Sequence, residues 1–192
     1  RAALEADFRK ALREDQLHLH YQPHVDDQGH ILGAEALLRW SHPERGMVPP
    51  MEFIAVAEQT GLIIKLGRWV LQTACQQLAL WHRESQWMRI NMAVNVSAKQ
   101  FRHPDFVREV AEILQSTGAP AQHLVLELTE SLLLEDTETV ITRMNALREL
   151  GVGFALDDFG TGYSSLSYLK RLPLSLLKID QSFVRDILVD AN

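Results

Sequence analysis

Residues 124–158 read LVLELTESLLLEDTETVITRMNALRELGVGFALDD, and this stretch decides the fold. Residues 124–129 form a short apolar run of strand length. Residues 137–150 carry a longer amphipathic pattern that Gly151 closes, and 153–157 return to a buried apolar run. Strand, helix and strand in that order imply parallel neighbours joined by a helical crossover. The same alternation continues upstream: helices are predicted over 51–59 and 63–84, then a strand over 90–96. A further helix opens near Ser97, where Ser97 and Gln100 make a capping-box pattern able to satisfy two orphan amides reciprocally. Pro104 suits the first turn of the next helix, and Gly118 its end. Downstream come a Gly/Ser-rich loop, a short helix near 166–171 and a strand over 176–180.

The N-terminal part departs from this rhythm. Residues 2–13 read as a helix with an apolar stripe of Leu4, Phe8 and Leu12. Residues 17–22 (LHLHYQ) alternate strictly and read as a strand that Pro23 ends. The turn cluster at 26–29 leads into a second strand over 31–40, so this pair reads as an antiparallel hairpin. The segment HPERGMVPP, 42–50, reads as a loop. About six strands result, in a mostly parallel sheet that is open or closed into a barrel. A closed barrel needs about eight.

Polar groups stand where these strands end. Asn95 closes the third strand, Glu127 lies near the end of the fourth, Asp157 and Asp158 end the fifth, and Lys178 and Asp180 end the sixth; Glu35 sits inside the second. In a parallel barrel such side chains converge on one face. Carboxylates with an Asn amide oxygen suit hard divalent cations, Mg²⁺ or Mn²⁺, and would repel one another without them. Glu35 and Glu127 are acids in apolar strands, where an unpaired carboxylate is costly, so function and a buried ion pair are the two readings. Asp157-Asp158 also fits a helix-capping turn, and Gly160-Thr161-Gly162 a tight turn or mobile loop. His18 and His20 would share one strand face, but with His24 they find no fitting fourth ligand and read as structural. Trp69, Leu78 and Trp81 read as core, and the lone Cys75 as a small buried hydrophobe.

Composition narrows the class. Of 192 residues, 46% are hydrophobic and 23% charged, which excludes disorder. With 25 acidic and 19 basic residues the net charge is −6, and no Lys/Arg block is present, so long nucleic acid is an unsuitable partner. No apolar run reaches the roughly 18 residues of a membrane span. The opening RAALEADFRKALRED lacks a leader's apolar core, and the chain is expected to be one domain taken from a longer, cytoplasmic protein.

Together these segments resemble the EAL domain family, phosphodiesterases that act on the bacterial second messenger cyclic di-GMP. The resemblance rests on Tyr21-Gln22-Pro23, Glu35-Ala36-Leu37-Leu38-Arg39-Trp40, Asn95-Val96-Ser97, Glu127-Leu128-Thr129-Glu130-Ser131, the run DDFGTGYSSL from Asp157 to Leu166, and Leu177-Lys178-Ile179-Asp180. They occur in family order over nearly the whole chain, and DDFGTGYSSL is the most specific of them.

The resemblance implies a TIM-type (β/α) barrel with an antiparallel first strand, in agreement with the hairpin. It implies metal-dependent hydrolysis of cyclic di-GMP to linear pGpG, with two Mg²⁺ or Mn²⁺ ions clamping the attacking and leaving oxygens. Glu35, Asn95, Glu127 and Asp157 would be metal ligands, and Asp158 would hold the second cation. Lys178, Glu35 and Asp158 would form the catalytic group, with Lys178 beside the reacting phosphate. Gln22 and Arg39 would contact the dinucleotide, Arg39 through phosphate. Glu130 would anchor the loop from Asp158 to Ser165, which the family couples to dimerisation. A homodimer, an upstream sensor or diguanylate-cyclase-type domain, and a cytoplasmic site, possible also as part of a membrane-bound parent, complete the expectation.

One departure stands out. The family carries a further Glu on the next strand, and the chain stops at Asn192 before it, so residues 1–192 are expected to form a single domain whose C-terminal strands lie beyond this sequence. A non-catalytic cyclic di-GMP receptor or protein-interaction module is the alternative. A glycosidase-type barrel with paired carboxylates is a weaker third reading.

Overall fold

The computed structural model describes residues 2–129, 132, 136–159 and 171–179. Helix α1 spans Ala2–Ala11 and is followed by strands β1 (Leu17–Val25), β2 (Ile31–His42) and β3 (Gly46–Val48). Helices α2 (Pro50–Thr60) and α3 (Leu62–Trp81) lead to β4 (Asn91–Val96), then α4 (Ala98–Phe101) and α5 (Phe106–Thr117). Strand β5 (Leu124–Thr129), helix α6 (Thr137–Glu149) and strands β6 (Gly153–Phe159) and β7 (Leu176–Ile179) complete the described chain. The sheet runs β1-β2-β4-β5-β6-β7, with β3 pairing β2. β1 and β2 are antiparallel; from β2 through β7 the path is parallel.

The strand–helix–strand reading of 124–158 therefore holds, and so does the antiparallel hairpin. Asp26 makes the hairpin's connection: its Oδ1 accepts from the backbone N–H of Gln28 and His30 at 2.9 and 2.8 Å, the side-chain mimicry that makes Asp a turn residue. Two expectations need correction. Pro23 does not end β1, which continues to Val25 with Pro23 opposite Ala34. β1 is the outermost strand of the described path, where a missing N–H breaks no ladder bond. The segment 42–50 is not all loop: Gly46–Val48 folds back on Trp40–His42. The predicted short helix near 166–171, all but its last residue, and Asp180 lie outside the described residues.

Alternation decides which face each residue takes. Ala36, Trp40, Met92, Val94, Val96, Leu124, Leu126, Leu128 and Phe154 all join one buried cluster with the helices. Phe8 of α1, Trp40 of β2 and Phe53 of α2 meet with ring centroids 5.4–5.5 Å apart. The core cluster thus lies on the helix side of the sheet. The residues between these, Glu35, Asn95, Glu127 and Asp157, lie on the opposite face. A parallel sheet with helices packed on one face and polar groups on the other is the wall of a (β/α) barrel. Leu78 and Cys75 are fully buried, as expected of core. No helix among the described residues is long and apolar enough to cross a membrane.

Two local features fix the helices near the site. α5 ends at Gly118, whose φ of +68° lets its N–H return to Leu114 O at 3.0 Å. At the start of α4, Ser97 Oγ accepts from the Gln100 N–H at 3.1 Å, but the reciprocal half of the capping box is absent. The Gln100 side chain instead turns into the core, 2% exposed, against Gly67 of α3. A Cβ on Gly67 would collide with the Gln100 amide.

Candidate active site

The inner face brings together residues far apart in sequence. Each enters at a parity position opposite a core residue: Glu35 between Ala34 and Ala36, Asn95 between Val94 and Val96, Glu127 between Leu126 and Leu128. The alternation that buries the aliphatic neighbours delivers the polar group to the other side. Asn95 Nδ2 donates to Glu35 Oε1 at 2.7 Å. Lys178, reaching in from β7, donates from Nζ to Glu127 Oε2 at 2.7 Å and to Glu35 Oε2 at 3.4 Å. The same ammonium stands 3.4 Å from Asp157 Oδ1. Four of the five expected metal ligands and the expected catalytic lysine therefore meet in one cluster.

Burial sets the electrostatics. The Glu127 side chain is completely covered. That burial raises its carboxyl above the ordinary range; the Lys178 hydrogen bond works against the rise, and the charges of Glu35 and Asp157 add to it. For Lys178, burial disfavours the ammonium, but the bond to Glu127 and the charges of Glu127, Glu35 and Asp157 outweigh it and hold the group above the usual lysine value. Three carboxylates around one ammonium keep Lys178 charged. Glu127 Oε1 has no hydrogen-bond partner among the described residues. A buried carboxylate oxygen without a partner is costly, and a cation would satisfy it. The donor set is carboxylate and amide oxygen, the chemistry of hard divalent ions, and Lys178 already marks the place as one that holds positive charge. The residues fit a metal centre.

The other expected residues fall around this cluster. Gln22 faces Glu35 across the β1–β2 ladder. Arg39 is half-buried, donates from Nη1 to Leu38 O at 2.8 Å, and lines a cavity of about 350 Å³ with Asn95, Ser97, Gln100 and Glu127. Asp158 lies on β6 by its backbone, but its side chain, like all of Glu130, lies outside the described residues. The fold also brings in His24, which reads as structural from sequence alone. His24 Nε2 stands 3.8 Å from Glu35 Oε2, and His24, Glu35 and Glu127 offer ligand atoms within 4.8 Å of one another. The available signal was parity: His24 is two residues from Gln22 on an alternating strand and shares its face.

Comparisons with known proteins agree with this geometry. The family model described as "EAL domain" matches residues 5–192. The bifunctional diguanylate cyclase/cyclic di-GMP phosphodiesterase MucR of Pseudomonas aeruginosa is 47% identical over 189 residues, covering 97% of this chain and 27% of that protein. The cyclic di-GMP phosphodiesterase PdeR of Escherichia coli is 44% identical over 184 residues, covering 96% of this chain and 28% of the relative. This chain thus spans roughly a quarter of the length of either relative. A solved structure of the PaMucR phosphodiesterase in complex with c-di-GMP superposes with a TM-score of 0.93 at 46% identity, covering 98% of this chain and 76% of that one. Family model, relatives and barrel wall converge, and the chain belongs to the EAL domain family.

Proposed function

We propose that this chain hydrolyses one phosphodiester of cyclic di-GMP, releasing linear pGpG. The observation that carries the reading is the inner-face cluster: Glu35, Asn95, Glu127 and Asp157 about Lys178, with a buried oxygen of Glu127 that has no partner among the described residues. The names of the relatives and of the c-di-GMP complex supply the substrate class. A phosphodiester is anionic and repels hydroxide, so the site has to offset that charge and present a nucleophile near neutral pH.

Two Mg²⁺ or Mn²⁺ ions, when bound, would supply an acidified water and a clamp on the phosphoryl oxygens. Glu35, Asn95, Glu127 and Asp157 would hold them, with Asp158 contributing to the second. Lys178 would turn its ammonium from the carboxylates toward the phosphoryl oxygens, stabilising charge that develops there in a partly buried setting. Arg39 and Gln22 would orient the dinucleotide, Arg39 through a phosphate and Gln22 from the facing strand. Glu130 would steady the loop after Asp158. We place this reaction in the bacterial cytoplasm, as the output of a larger homodimeric signalling chain with an upstream sensor or cyclase-type domain.

The test is incubation of the chain with cyclic di-GMP and Mg²⁺ or Mn²⁺, followed by chromatography. Accumulation of pGpG that stops on adding a chelator supports the proposal. Bound but intact substrate after prolonged incubation overturns it in favour of a receptor.

A further inference from the structure

The inner face of β1 holds an imidazole that the function above leaves unused. His24 Nε2 lies 3.8 Å from Glu35 Oε2, and His24, Glu35 and Glu127 present their ligand atoms within 4.8 Å of one another. Donors that share one octahedral ion at about 2.1 Å stand about 3 Å apart when adjacent and about 4.2 Å when opposite, so the His24–Glu35 separation falls in the range of a common ion. Glu127 adds a second, independent indication. Its side chain is wholly buried, Lys178 takes Oε2, and Oε1 has no partner among the described residues. His24 is itself only half-buried and sits opposite Gly33 across the ladder.

Hard oxygen donors alone accept Mg²⁺ and Mn²⁺ with little distinction. A neutral imidazole does distinguish them, because nitrogen binds first-row transition ions well and Mg²⁺ poorly. We propose that His24 donates an imidazole nitrogen to a divalent ion held by Glu35 and Glu127, and so biases this centre toward Mn²⁺ and related transition ions over Mg²⁺. The inference deepens the metal-dependent reading above and rests on it.

The experiment uses the 192-residue chain loaded with Mn²⁺ and read by electron spin-echo envelope modulation, with calorimetry of Mn²⁺ and Mg²⁺ binding alongside. The wild-type chain is expected to show nitrogen-14 modulation of the imidazole type that disappears on labelling its histidines with nitrogen-15. His24→Gln is expected to lose that modulation and to bind Mn²⁺ about 10- to 100-fold more weakly, with Mg²⁺ affinity changed by less than about 3-fold. Mn²⁺ binding without histidine modulation, or equal Mn²⁺ affinity in His24→Gln, overturns this inference and leaves the proposed hydrolysis standing. Failure of the wild-type chain to bind either ion overturns both. The labelling measurement needs no variant: absence of histidine modulation overturns the inference even if His24→Gln does not fold, and His24→Asn is the second variant that assigns a positive signal to His24.

Discussion

The Lys178 ammonium lies 2.7 Å from Glu127 Oε2, although β6 separates the two strands that carry them. Both side chains leave their strands on the inner face and meet across the intervening one. The pair fixes the height at which β7 contributes to the site, and it would set the terms on which the proposed cation enters.

Replacing Lys178 by Met should reduce turnover by at least about 100-fold, since a preorganised charge at a reacting phosphate is commonly worth that much. It should also cost about 1–3 kcal/mol of stability, because Glu127 is left buried without its donor. Added Mn²⁺ should raise the melting temperature of Lys178→Met by more than it raises that of the wild-type chain, because no ammonium competes for the carboxylates. Thermal melts with and without the ion check this. An equal rise in both would contradict the competition.

Glu35→Ala and Asp157→Ala should each abolish turnover while leaving the helical circular dichroism intact, since both side chains lie on the polar face and neither fills the core. Both should weaken the stabilisation that saturating divalent ion brings, which is about 2.7 kcal/mol at a hundred times its dissociation constant. A large loss of helical signal in either variant would point instead to a structural role.

Gly67→Ala places a methyl where the Gln100 amide lies, and overpacking of this kind costs about 1–3 kcal/mol. Gln100→Ala removes the obstruction together with an amide nitrogen that has no partner among the described residues. The double variant should therefore be clearly more stable than the sum of the two single effects predicts. Urea unfolding of all four proteins measures the coupling; strict additivity would refute the contact.

Cys75 is fully buried, and burial pushes its thiol up to about 12. The thiolate is the reactive form, so the native chain should resist a disulfide reagent at pH 8. One equivalent should react once urea unfolds it. Rapid reaction of the folded chain would show that α3 opens locally.

Much of this could be read from residue order alone. The positions of Asn95, Glu127 and Asp157 at strand ends pointed to one convergent polar site, and the spacing of 124–158 predicted the parallel crossover. Pro23 misled because local chemistry forbids an inner strand position but permits an outer one, and only the sheet order distinguishes them. β3 escaped notice because three residues flanked by turn formers carry too little periodicity. Gln100 fitted a capping box by type, yet a glycine 33 positions earlier drew its side chain inward. His24 has its neighbouring ligand atoms on Glu35 and Glu127, 11 and 103 residues away, beyond the reach of local pattern. Local pattern predicts elements and faces; partners across the barrel wall come from topology.

The strict alternation of β4 and β5 has a consequence for how this domain can change. Polar site and packing share one phase, so slipping β5 by a single residue would turn Glu127 into the aliphatic layer and Leu126 or Leu128 into the polar cluster. Catalysis and stability would fail in the same step. Insertions of one residue should therefore be purged from these strands and tolerated in the turns between them, where the count of residues leaves the phase untouched.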